Sequence, residues 1–288
     1  MMLFIDLRAS ASGGICAQDA TVWEDGTSLV STQEFAARVR GLDLVLATHG
    51  FNVGRAAGIR CLSCWAPCLR LPDTSLFAGV LWAGDSKYLP VISYPSEGDQ
   101  AIASGRLLAA FLNREALAAA SISFVSHSLG ARTMLEAVRH LRRTARRLIL
   151  MAGAIEDDCL EREYRDAAAN AERICTLASR QDRVLQFAFP LGNPIGQILM
   201  HGHPYFETAL GREGPEQAIA PRQRGGAWQI PDAWCYGHGD YLPDTPVNGA
   251  IEVPVAAPGP QSAVPCQPRF AQWESAWSAS AVSTQVRS

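Results

Sequence analysis

Ile122-Ser123-Phe124-Val125-Ser126-His127-Ser128-Leu129-Gly130 joins a strand pattern to a helix pattern through a short polar turn. Its first four residues form a strand-like apolar run. The residues from Ala131 to Leu141 place Met134, Leu135, Val138 and Leu141 on one helical stripe. A strand that turns sharply into a helix holds the residue at the turn in an unfavourable backbone conformation, which only small neighbours two positions away on either side can accommodate. Ser126 and Gly130 are such neighbours, so the spacing singles out Ser128 as an exposed nucleophile, with a serine standing where a glycine is commoner. Gly130 and Ala131 let the first helical turn lie close to the sheet.

Outward from this elbow the chain alternates. Apolar runs at Leu3 to Leu7, Leu42 to Ala47, Phe77 to Trp82, Ile122 to Val125, Leu148 to Ala152 and Ile174 to Ala178 are separated by stretches long enough for crossover helices. Several runs are continuously apolar, as strands covered on both faces are. The spacing therefore predicts an α/β fold, a doubly wound, mostly parallel sheet with helices on both faces. Helices are expected over Thr32 to Arg40, which Gly41 ends, and over Asp99 to Leu112, where Ile102, Leu107, Leu108 and Phe111 form a stripe. The segment from Gly192 to Trp234 has few recognisable elements and reads as a lid or an irregular insertion.

Composition narrows the class. With 288 residues, 48% of them apolar, the chain can bury a sizeable core. A net charge of −3 offers no global attraction to nucleic acid or to an anionic membrane, so the expected partner is a small molecule. The basic cluster Arg139, Arg142, Arg143, Arg146 and Arg147 reads as the solvated end of a helix. The opening Met1-Met2-Leu3-Phe4-Ile5-Asp6-Leu7 lacks a charged leader and is too short to span a membrane, and a cytoplasmic location is the expectation. Eight cysteines are too few for a disulfide scaffold. Cys61, Cys64 and Cys68 share one helical face and read as small packing residues, with no fourth ligand nearby to complete a metal site.

Open parallel sheets place their sites beyond the carboxyl ends of the strands. Three polar segments stand there: His49-Gly50-Phe51-Asn52, Ser128, and Ser179-Arg180-Gln181-Asp182. With HGFN at 49–52, SHSLG at 126–130, SRQDRVL at 179–185 and HGDYL at 238–242, the chain resembles the α/β-hydrolase superfamily. Within it, the chain resembles a bacterial group of esterase-like hydrolases labelled as domains of unknown function. The resemblance covers roughly residues 40 to 245.

The resemblance implies a serine hydrolase acting on a small-molecule ester, with Ser128 attacking, His238 as its general base and Asp182 holding the imidazole. It also implies an oxyanion hole of the Phe51 and Leu129 backbone N–H groups. No metal or organic cofactor is expected. His203 stays open as a second candidate base and Asp157 or Asp158 as candidate acids. His49 reads as a loop scaffold, His127 as a packing or capping residue and His140 as solvent-facing. Trp82, Tyr94, Phe206 and Tyr241 read first as ordinary core, with the walls of an acyl pocket as the functional alternative. Residues 1–245 are expected to form one hydrolase domain. The Pro-rich residues 246–288 should form a loosely ordered tail, in which Trp273 and Trp277 could pack back as an i, i+4 pair. A non-catalytic relative that keeps the elbow as architecture and binds a protein partner is the alternative.

Overall fold

A computed structural model describes residues 1–11, 14–68, 71–85, 90–186, 208–215 and 226–242. The strands are β1 (Leu3–Arg8), β2 (Cys16–Glu24), β3 (Ser28–Val30), β4 (Asp43–Thr48), β5 (Ser75–Leu81), β6 (Ser121–His127), β7 (Arg147–Met151), β8 (Ile174–Ala178) and β9 (Gly226–Gln229). The helices are α1 (Thr32–Val39), α2 (Arg55–Cys68), α3 (Pro90–Glu115), α4 (Gly130–His140), α5 (Arg165–Ala169) and α6 (Leu210–Glu213). One sheet runs β3-β2-β1-β5-β4-β6-β7-β8-β9. It is parallel from β1 through β9, and among the described residues only β2 and β3 join it antiparallel.

All six apolar runs are strands. Leu44, Val45, Leu46 and Ala47 of β4 have no exposed surface, and β1 and β6 are buried along almost their whole length. Alternate residues of a strand point to opposite faces, so this pattern requires cover on both sides. α2 packs on β4 and β5, while α3 packs on α4, β1 and β2. Each fully buried Leu, Val or Phe in this core is worth about 1.5–3 kcal/mol.

α1 is capped by the Ser31 hydroxyl, which accepts from the Glu34 N–H at 3.1 Å, and its Phe35 meets Phe111 of α3 at 5.1 Å between ring centroids. α3 begins nine residues before the expected Asp99. Pro90 suits a first helical turn, but Pro95 and Gly98 interrupt the periodic signal there. The strands β2, β3 and β9 are additional to the six runs. Only Ala20 and Val22 of β2 are buried, so a one-sided strand near the sheet edge lacked the continuous apolar signature.

The arginine cluster does more than meet solvent. Arg143 donates to the carbonyls of Ala119 and Ala120 at 2.7 and 2.8 Å, and Arg146 pairs with Asp43 at 2.8 Å, so both clamp the turns at the amino end of the sheet. His140 is exposed as expected, 3.0 Å from Glu136. Cys61 and Cys64 lie half-buried on α2, which also carries Cys68, and burial pushes the Cys61 thiol up to about 11. Among the described residues no helix is long and apolar enough to cross a membrane. The tail with Trp273 and Trp277, together with His201, His203 and Phe206, lies outside the described residues, as does the Tyr94 side chain.

Candidate active site

β6 ends at His127 and α4 begins at Gly130, leaving two residues to reverse the chain. Ser128 takes the strain, with φ of +55°, a conformation that costs a non-glycine residue roughly 1–3 kcal/mol. Neighbouring bonds hold it there. The Ser128 N–H donates to the Met151 carbonyl at 3.0 Å, and the Ala131 N–H donates to the Ser128 carbonyl at 3.0 Å.

The small residues around the elbow are explained by close approach. A Cβ built on Gly130 would lie 2.4 Å from the His49 carbonyl oxygen, and one on Gly50 would lie 2.9 Å from the Ser128 Cβ. Main chain occupies the first space and cannot swing aside, and the Ser128 and His127 side chains fill the second. Gly130→Ala is expected to lower stability by about 1–3 kcal/mol, measured as a fall in denaturation midpoint with the m-value unchanged. Ser126 is fully buried and its hydroxyl donates to the Ile149 carbonyl at 3.3 Å, which accounts for a serine at the elbow's first small position.

The structure brings together Ser128, His238 and Asp182, from three separate places in the chain. His238 Nε2 is 2.8 Å from Ser128 Oγ, and its Nδ1 is 2.7 Å from Asp182 Oδ2. Asp182 is fully buried, Ser128 is 5% exposed, and the His238 side chain is 18% exposed. The second Asp182 oxygen accepts the Leu185 N–H at 3.0 Å, which fixes the carboxylate plane. An imidazole bridging a hydroxyl and a buried carboxylate can take the hydroxyl proton and have the resulting cation stabilised on its far side.

Asp157 and Asp158 are engaged elsewhere, Asp157 with the Thr208 hydroxyl and Asp158 with Arg162 at 2.8 Å. Burial raises the Asp158 carboxyl above its ordinary value.

The segment 49–52 lies against the elbow. His49 Nδ1 is 2.9 Å from the Gly50 carbonyl, and Asn52, at φ +56°, donates its N–H to the Gly84 carbonyl at 2.6 Å. Trp82 is fully buried, and its indole N–H donates to the His49 carbonyl at 2.9 Å. Trp82 is therefore a brace behind this loop, in keeping with its reading as a core residue. The buried Arg8 guanidinium donates to the Trp82 carbonyl at 3.0 Å and pairs with Asp85. Tyr241 is likewise buried, edge-on to Tyr236. Periodicity carries no trace of these braces, since each links residues from unrelated parts of the chain.

His127 does more than the packing expected of it. It packs, but its Nε2 is also 2.7 Å from the His238 carbonyl, and the two rings are 4.8 Å apart. A carbonyl only accepts, so Nε2 carries the proton and donates. Burial, with His238 alongside, pushes the His127 imidazole down to about 3, and burial near Arg8 pushes His49 down to about 4. Both stay neutral when folded, whereas an unfolded histidine titrates near 6.5. The unfolded chain then binds more protons, so their contribution is complete above about pH 6.5 and drains away as pH falls through 6.5 toward 4 and 3. Melting temperatures followed from pH 7.5 to pH 5 should show this acid destabilisation, and it should be visibly weaker in His127→Gln.

Residues 31–218 match the model of a family described as alpha/beta hydrolases of unknown function (DUF900). The match begins after β3 and ends before the segment that carries His238. Among solved structures, an acetyl xylan esterase from Paenibacillus sp. R4 is similar over 69% of this chain and 69% of its own, at 14% identity and a TM-score of 0.35. No curated protein matches the chain. A parallel sheet with a strand-turn-helix elbow, and a family match spanning well over half of the sequence, establish that the chain belongs to the α/β hydrolases of unknown function of that family.

Proposed function

We propose that this hydrolase cleaves carboxylic esters of small molecules through an acyl-enzyme on Ser128. The observation that carries the reading is the unbroken hydrogen-bonded line from Ser128 Oγ through His238 to Asp182, at 2.8 and 2.7 Å. In the first half-reaction Oγ bonds to the ester carbonyl carbon while its proton passes to His238 Nε2. The tetrahedral intermediate collapses with cleavage of the carbon–alkoxy bond, and His238 returns the proton to the departing alcohol. A water then gives a proton to His238 as its oxygen bonds to the acyl carbon, the acyl carbon–Oγ bond breaks, and His238 returns that proton to Oγ as the acid leaves.

The oxyanion formed in each half-reaction needs donors already in place. The Leu129 and Phe51 N–H groups fit that role. Both stand beside the elbow, and among the described residues neither donates to a carbonyl. Each such donor lowers a barrier of this type by about 3 kcal/mol. The fold is also compatible with thioester, amide or acyl-transfer chemistry. Ester hydrolysis uses every group named here and needs no further one.

A fluorophosphonate probe tests the reading directly. Oγ attacks phosphorus, the P–F bond breaks, fluoride leaves, and the serine proton departs through His238. Stoichiometric labelling located at Ser128 by peptide mapping is the expected result, with turnover of short nitrophenyl esters. A folded chain that takes up no label would instead mark a protein that keeps the elbow as architecture and binds partners.

A further inference from the structure

The segment that carries His238 has little regular structure of its own. A short 3-10 helix, Asp232–Trp234, precedes it, and residues 236–242 contain only turns. Its position is set by bonds to its backbone. The Ser179 hydroxyl donates to the Tyr236 carbonyl at 2.7 Å, the Asp240 carboxylate accepts the Gly237 N–H at 2.7 Å, and the His127 Nε2–H donates to the His238 carbonyl at 2.7 Å. The first of these anchors comes from the turn that carries Asp182. The last comes from the residue beside Ser128.

We propose that His127 is a positioning residue for the reaction, holding the main chain of His238 so that the catalytic imidazole stays in line with Ser128. This rests on the reading of Ser128 and His238 given above. The geometry is a closed circuit: from the Ser128 backbone to His127, across its ring to the His238 carbonyl, along the His238 side chain, and back to Ser128 Oγ at 2.8 Å. A displacement of the His238 segment must therefore break one of two bonds.

The circuit has no slack on its other side. Gly50 closes over it, and a Cβ there would lie 3.1 Å from His127 Nδ1 and 2.9 Å from the Ser128 Cβ. A flat ring with a donor at the depth of Nε2 meets the requirement, and the aliphatic residues that normally end a buried strand do not. A misplacement of about 1 Å at a general base can cost up to ~10²-fold in rate.

Three variants of the full chain separate this role from simple packing. His127→Phe keeps the ring and loses the donor. His127→Asn keeps an amide at the depth of Nδ1, short of the carbonyl. His127→Gln restores a donor at the depth of Nε2. Labelling by a fluorophosphonate and kcat for nitrophenyl acetate should fall about 10–100-fold in His127→Phe and His127→Asn, with KM within about twofold of the parent. His127→Gln should return both rates to within about threefold. Should His127→Phe fail to fold, His127→Asn against His127→Gln decides. Parent-like rates in the variants without a donor at Nε2 depth, or a His127→Gln as slow as they are, would overturn the proposal. A parent chain that takes no label would overturn the Ser128 reading and this inference with it.

Discussion

Ser128→Ala is expected to lose all fluorophosphonate labelling and to lower ester turnover by about 10⁴-fold or more, with the fold unchanged. In the proposed reaction the Oγ atom bonds to the acyl carbon, so no neighbour can substitute for it. Its hydroxyl meets His238 Nε2 across the site, and its Cβ remains in alanine, so the packing against Gly50 is kept. The φ of +55° strains alanine as it strains serine, and stability should move by less than about 1 kcal/mol. Ser128→Gly separates the two effects. It is equally dead, yet relief of the backbone strain should raise stability by roughly 1 kcal/mol, which would show the elbow storing strain to hold the hydroxyl against His238. Substantial turnover in a purified Ser128→Ala would overturn the assignment.

Asp182→Asn carries the second-largest expected effect, a fall in kcat of about 10³–10⁴-fold with little change in KM. One Asp182 oxygen accepts the Leu185 N–H, so the asparagine carbonyl oxygen must take that position and its NH2 must face His238 Nδ1. The imidazole then presents a lone pair at Nδ1 and carries its proton on Nε2, where it cannot accept one from Ser128. Because both hydrogen bonds survive with their directions exchanged, stability should change far less than rate. Single-turnover labelling compared with chemical denaturation of the same samples checks this split. A rate near that of the parent would remove Asp182 from the reaction.

Legibility in the sequence followed locality. The six apolar runs became the central strands because continuous burial on two faces leaves a mark in consecutive residues. The elbow was readable because its demands fall within five residues, Ser126 to Gly130. β2 buries only Ala20 and Val22, and β9 is four residues long, so neither carries enough apolar sequence to announce itself. His127 was read as packing because its partner lies 111 positions away, and the bond runs to a carbonyl, which every residue possesses. The bracing role of Trp82 was hidden for the same reason: its indole N–H finds the carbonyl of His49.

Patterns among near neighbours were thus enough for the parallel sheet, the serine at its sharp turn, and the order of the polar segments beyond the strand ends. These follow from periodicity and from steric demands between near neighbours. Tertiary structure alone decided that His238 lies between Ser128 and Asp182, that Asp157 and Asp158 turn to other partners, and that His127, Ser179 and Trp82 brace the loops around them. The physical reason is that these are single hydrogen bonds, many of them to main-chain carbonyls, made between segments that meet only when the sheet closes its crossovers.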